Sequence, residues 1–242
     1  MTDFTLFIFG CIFVIIIIMN EEQQLKLHSK VFILPLLGVF FIWFIYWVEI
    51  QFDLNFNKYG IFPRTIVGLR GVLFSHFIHS NTSHLFNNSI PLFVLLLCVR
   101  FFYKEVSYKV LLYGGFFTGF FTWLIARESY HIGASGMVYL LFSFVFFSGI
   151  LKRHYRLVAL SLMIIFLYGS MIWYIMPVKE GMSWEGHLSG FLVGIIFSFV
   201  FKNTGIVREN YEFTPTDFDL LFDENGNFSP PGDEEVKESN SD

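Results

Sequence analysis

Long apolar runs separated by short polar or charged segments dominate the chain. Seven can be marked: residues 4–19, 31–50, 83–101, 108–125, 135–151, 157–176 and 186–202. Read as helices rising 1.5 Å per residue, most are long enough to cross about 30 Å of hydrocarbon, and the shorter ones begin within the headgroup layer or tilt little. The only long connection is 51–82. After residue 204 the pattern changes. Residues 205–242 are rich in Asp, Glu, Asn, Ser and Pro and have no sustained periodicity, which predicts a mostly disordered tail. The first run, Phe4–Met19, has no Lys or Arg before it, and Asn20-Glu21-Glu22-Gln23 follows it instead of a small-residue cleavage site. It is therefore expected to be a retained membrane helix rather than a signal peptide. The pattern as a whole predicts an all-α fold, a polytopic membrane helix bundle.

Composition narrows the class further. Of the 242 residues, 55% are hydrophobic and 15% charged, too few charges to cover the surface of a soluble domain of this size. A lipid bilayer is the solvent such a chain fits, and no nucleic-acid partner is implied. Cys11 and Cys98 both lie in apolar runs, which excludes a disulfide framework. The net charge of −4 is unevenly spread. Residues 209–242 hold 11 of the 20 acidic residues and a single basic one, Lys237.

Loop charges set an orientation. Lys26 and Lys30, then Arg100, Lys104 and Lys109, then Lys152, Arg153 and Arg156, then Lys202 and Arg208 fall in alternate loops, all on one side. The positive-inside rule makes that side cytoplasmic. The N-terminus is then outside and the acidic tail inside. No organelle transit peptide is visible, so a bacterial cytoplasmic membrane is the expected location.

Polar side chains inside a membrane are costly, and by default they mark function. His84 and Asn88 open the third run, Ser135 in Gly133-Ala134-Ser135-Gly136 opens the fifth, and His187 in Gly186-His187-Leu188-Ser189-Gly190 opens the seventh. These three runs enter the membrane from the same, extracytoplasmic, side, so the four residues lie at similar depth. His84 and Asn88 are four apart and share a helix face. His187, Gly190 and Gly194 also share one face, and small residues there allow close helix approach in a bilayer. Tyr139, four residues after Ser135, is placed to pack its ring on the imidazole. A serine hydroxyl becomes a nucleophile when a base takes its proton, and His is the usual base near neutral pH. The Ser135 backbone N–H, the Asn88 amide and the His84 ring are available to donate to an oxyanion. No Asp occurs between Asp53 and Asp217, so a dyad rather than an Asp-containing triad is expected. Glu128 and Glu185 lie near the outer mouth, but no pattern sets either against His187.

In these residues the chain resembles the rhomboid family of intramembrane serine proteases over roughly 31–203. Gly133-Ala134-Ser135-Gly136 matches the family's G-x-S-G. Gly186-His187 with Gly190 and Gly194 matches its last helix. His79, His84 and Asn88 stand in its H-x4-H-x3-N arrangement, and Tyr139 falls where the family places a tyrosine against the catalytic histidine. Where members often carry Ala-His and, in the first loop, Trp-Arg, this chain has Gly186-His187 and Leu69-Arg70. The resemblance implies a six-helix protease domain over 31–203. It would be preceded by an extra N-terminal transmembrane helix and linker (1–30) and followed by an acidic cytoplasmic tail (204–242). It also implies cleavage of membrane proteins in or beside their transmembrane segments, with Ser135 and His187 catalytic and Gly133 and Gly136 supporting.

Blander readings apply elsewhere. His28, His76 and His154 are expected at the interface and His131 in a loop, while His79 either shapes the long loop or lines the site. H-x2-H-x4-H at His76, His79 and His84 has neither helical nor finger spacing, so neither a metal nor any other cofactor is expected. Gly115 and Gly119 read as plain helix packing, and Asn87 as a backbone partner. Two other function classes fit the composition: a catalytically silent rhomboid-like protein that binds transmembrane segments, and a small transporter. Retention of both Ser135 and His187 argues against the first. Clustering of the polar groups near one face argues against the second. The pattern fixes no oligomeric state.

Overall fold

The computed structural model describes residues 30–206 and, beyond them, 216, 218–223 and 225–228. The expected first membrane helix at 4–19 and most of the acidic tail lie outside the described residues. The chain divides into two units, 1–208 and 209–242. In the second, Thr216 N–H and Oγ1 donate to the carboxylate of Asp219, which opens a short 3-10 turn at Asp219–Leu221, and Phe222 bridges Phe228 across a turn whose N–H groups point at the Asp223 carboxylate. These local turns lie within the segment expected to be mostly disordered.

Seven α-helices are described in the first unit: α1 (Lys30–Gln51), the short α2 (Gly71–Phe74), α3 (Thr82–Phe102), α4 (Ser107–Ile125), α5 (Ser135–Lys152), α6 (Tyr155–Tyr168) and α7 (Trp184–Val200). Six are long, and each follows one of the apolar runs to within two residues at its start. α1, α3, α5 and the stretch Tyr155–Ile175 are long and apolar enough to cross a membrane. α4 is diluted by Lys109 and its glycines and threonines. α7 has 17 residues, about 26 Å of helix. The run 157–176 does not continue as one α-helix. It tightens at Gly169 into a 3-10 stretch, Gly169–Ile175. There the carbonyls of Met171 and Tyr174 accept from side chains on α5 and α7.

α5 is the central helix. Two-thirds of its apolar window is buried (67%), against 11% for α1, which the other described residues leave largely uncovered. The most extensive helix–helix interface joins α5 to α7. Glycine makes it possible: a Cβ on Gly190 would overlap the Gly136 carbonyl oxygen and lie 3.1 Å from Leu140 N, and one on Gly194 would overlap Ser143 Oγ. Backbone contact of this kind is how helices associate where lipid removes the hydrophobic drive. α1 attaches to α3, where Trp43 Nε1 donates to Ser89 Oγ at 2.9 Å. At the far end of α5 from Ser135, the buried Lys152 ammonium donates to the carbonyls of Lys202 and Thr204 just beyond α7.

The long connection 51–82 is folded rather than open. It contains three 3-10 turns and α2, and it lies against α4, where a Cβ on Gly119 would sit 2.5 Å from the Val72 carbonyl oxygen. Gly119 thus admits the loop and not a second membrane helix. Ile61 in this loop pairs with His131 in an antiparallel bridge of 3.0 and 2.8 Å. The loop ends at Asn81, whose extended backbone and side-chain oxygen, accepting the His84 N–H at 2.8 Å, start α3.

Candidate active site

Ser135 is the first residue of α5, so its N–H is one of the helix's unpaired N-terminal donors. The turn before it is held from the long loop. Gly133 N–H donates to the Ser75 carbonyl at 2.9 Å, and Ala134 N–H to His79 Nε2 at 3.3 Å. Gly133 has φ +113°, a region L side chains avoid. A Cβ there would also lie 2.7 Å from both His84 Cε1 and Nε2, and 3.7 Å from Asn88 Nδ2. The missing side chain is what lets the imidazole and the amide reach the turn.

His187 enters from the first turn of α7. Its Nε2 lies 2.9 Å from Ser135 Oγ, and its Nδ1 2.9 Å from the Tyr174 carbonyl oxygen. A carbonyl only accepts, so Nδ1 carries the proton and Nε2 accepts from the serine hydroxyl. The Tyr139 ring stacks on the imidazole at a centroid distance of 4.3 Å. Gly136 faces the start of α7, where a Cβ would lie 3.3 Å from the Gly186 carbonyl.

On the other side of Ser135, Asn88 is buried and its Nδ2 has no hydrogen-bond partner. A buried amide donor without a protein partner is costly, and this one is left able to donate to a bound group. His84 Nδ1 lies 3.3 Å from Ser80 Oγ, which leaves Nε2 turned toward Gly133. His79 packs edge-on against His84, and burial, with the neighbouring His84 second, pulls its pKa down to about 4. It is neutral and accepts from Ala134. Of the two roles open to it, shaping the loop is the one its contacts support. A cavity of about 20 Å³, room for a water molecule, opens beside Ser135 between His76, Thr118, Thr122 and His131.

The structure therefore gathers Ser135, His187, Tyr139, Gly133, Gly136, Gly190, His84 and Asn88 at one end of the bundle. Among the described residues, no three His, Cys, Asp or Glu side chains come together to hold a metal. His76, expected at the interface, instead reaches the Gly115 carbonyl at 3.0 Å and lines the cavity.

Two features escaped the sequence reading. One is the Tyr174 carbonyl, which has no sequence signal because every residue has a carbonyl. The other is an ion pair between the buried Glu185 carboxylate and the half-exposed Arg127 guanidinium, 3.0 Å apart. A glutamate in the first turn of a membrane helix was a visible anomaly, but its partner is 58 residues away.

A family model described as Rhomboid domain matches residues 68–204. The chain is also 32% identical over 178 residues to uncharacterized proteins of Mycobacterium bovis and Mycobacterium tuberculosis, covering 66% of this chain and 72% of each of theirs. An uncharacterized protein of Mycobacterium leprae is 31% identical over 148 residues, 54% of this chain and 56% of that one.

Proposed function

The chain belongs to the rhomboid family, and on that footing we propose that it is an intramembrane serine endopeptidase that cuts membrane-anchored proteins in or near their transmembrane segments. The observation that carries this reading is the 2.9 Å contact between Ser135 Oγ and His187 Nε2, with the other ring nitrogen committed to the Tyr174 carbonyl.

The chemistry follows from that tautomer. His187 Nε2 takes the Ser135 proton as Oγ attacks the scissile carbonyl. The charge that develops on the substrate oxygen meets the Ser135 N–H, Asn88 Nδ2 and His84 Nε2, donors fixed in place before the reaction. The imidazolium then gives its proton to the leaving amine. In the second half-reaction His187 deprotonates a water that attacks the acyl-enzyme, and the small polar cavity beside Ser135 has room for it. The Tyr174 carbonyl occupies the position a carboxylate holds in a triad, orienting the ring through Nδ1–H. It offers a dipole where a carboxylate offers a full charge, and the face of Tyr139 adds a second, weaker stabiliser of the imidazolium. Loop charges support placing the site at the extracytoplasmic face of the membrane, with the substrate's transmembrane segment approaching through lipid.

A fluorophosphonate probe tests the reading, because it reacts with a serine only where a base and an oxyanion site activate it. Labelling of the full chain in lipid should be lost in Ser135→Ala and in His187→Ala, together with cleavage of a membrane-anchored test substrate. Labelling that survives either change would overturn the assignment. A folded protein that is not labelled at all would leave the silent segment-binding reading in its place.

A further inference from the structure

Two residues before His187, the Glu185 carboxylate is 2% exposed. Successive residues of an α-helix are turned by about 100°, so Glu185 projects from the face of α7 opposite His187. What it meets there is Arg127, at the end of α4. Arg127 Nη1 donates to both carboxylate oxygens, at 3.0 and 3.2 Å, and the Arg127 backbone N–H donates to Oε1 at 3.3 Å. Arg127 Nη2 donates to the Met182 carbonyl at 2.6 Å. His131 braces the same corner. Its Nε2–H donates to the Arg127 carbonyl at 2.9 Å, its Nδ1 accepts from Ser183 Oγ at 2.6 Å, and its backbone pairs with Ile61.

We propose that Arg127 and Glu185 are positioning residues: they clamp the first turn of α7 from behind and so hold the His187 imidazole at hydrogen-bond distance from Ser135. The inference rests on the reading of Ser135 and His187 as nucleophile and base.

Three considerations carry it. First, α7 is held at this end from two sides. Ser135 and Tyr174 engage His187 on the front, and the Arg127 fork engages Glu185 and Met182 on the back. Removing the back tie leaves the first turn held only by the front hydrogen bonds and the Gly190 contact one turn further along. Second, stability does not account for the pair. The Arg127 side chain is 45% exposed, and an ion pair open to solvent on one side contributes little net stability, whereas its geometry is specific. Third, the guanidinium serves two acceptors at once, which a planar fork of donors does and a lysine ammonium, as a point charge, does poorly. Between the two tied carbonyls of Tyr174 and Met182, Pro177 to Gly181 are exposed.

The test compares the full chain in lipid with Glu185→Gln, Arg127→Lys and the double variant Arg127→Met/Glu185→Leu, following fluorophosphonate labelling rate, kcat, KM and thermal unfolding together. Glu185→Gln should lower labelling and kcat by about tenfold or more, with KM within about threefold, because a shift of about 1 Å at the reacting atoms is already costly. Arg127→Lys should fall between the two. The double variant removes both charges and so leaves none stranded. It should unfold near the wild-type temperature and still label slowly, an outcome that loss of stability alone does not produce. Wild-type rates in the double variant and in Glu185→Gln would overturn the clamp and leave the Ser135–His187 reading standing. Failure of the wild-type chain itself to label would overturn both.

Discussion

The Tyr139 ring lies against the His187 imidazole at 4.3 Å and 14° from parallel, and its hydroxyl donates to the Met171 carbonyl at 2.7 Å. The two contacts separate by mutation. Tyr139→Phe keeps the stacked face and strands one carbonyl. It should cost on the order of 1 kcal/mol of stability, a fall in melting temperature of about 2–4 °C, with activity reduced by less than about tenfold. Tyr139→Ala removes the face as well and should reduce turnover further. Equal turnover in the two variants would show that the ring does not hold the imidazole.

Asn88 should show the opposite balance. Its Nδ2 has no partner among the described residues, so Asn88→Ala relieves a buried orphan donor. The variant should unfold at or above the wild-type temperature while kcat drops about a hundredfold or more, the scale of one lost oxyanion donor. Unchanged kcat in the folded variant would remove Asn88 from the mechanism.

Gly190 tests the helix contact. Even Gly190→Ala puts a methyl into the Gly136 carbonyl. Overpacking of this sort costs about 1–3 kcal/mol, and the displaced α7 should lower kcat although no catalytic atom changes. Full activity with unchanged thermal stability would contradict the close approach.

His79 gives a pH signature. Burial lowers its folded pKa from 6.5 to about 4, so between these values the unfolded chain binds the proton that the folded chain excludes. Stability from this group is fully present above about pH 6.5, is lost as pH falls toward 4, and amounts to on the order of 3 kcal/mol. Melting temperatures of the wild type and His79→Gln, which keeps an acceptor for Ala134 N–H, should therefore converge as pH falls. Parallel curves would rule the effect out.

Orientation is testable with single cysteines at Glu128, Lys179, Lys104 and Arg153, in a background without Cys11 and Cys98. A membrane-impermeant thiol reagent on intact cells should label the first two and spare the others. Reversed labelling would turn the site toward the cytoplasm and leave the dyad. Labelling of Glu128 and Lys179 from opposite sides would contradict their placement at one end of the bundle.

The extent to which the sequence discloses this protein varies by residue. Ser135, His187 and Tyr139 were legible because their signals are local: a Gly-rich turn, a polar residue opening an apolar run, and a four-residue spacing that puts Tyr139 on the serine's face. Parity of the apolar runs then brought them to one end. Helix limits were legible for the same reason, except at Gly169. There the apolar run continues, but the winding tightens where carbonyls are taken by Tyr139 and His187, and hydrophobicity carries no trace of that. Glu185 was conspicuous on its own, yet its pairing with Arg127, so far away in the chain, follows no period. The expected N-terminal helix at 4–19 lies outside the described residues.

The His187 orienting group is main chain, supplied by residue 174 whatever its side chain. No exchange of one amino acid for another deletes it, except indirectly through a proline or glycine that rewinds the backbone. An aspartate in that role would be a single point of failure, lost to one substitution. Under the proposed mechanism the group that orients the base therefore survives a side-chain exchange at position 174. Weakening the acceptor without moving it requires changing the backbone itself, as when an ester replaces the peptide bond between residues 174 and 175.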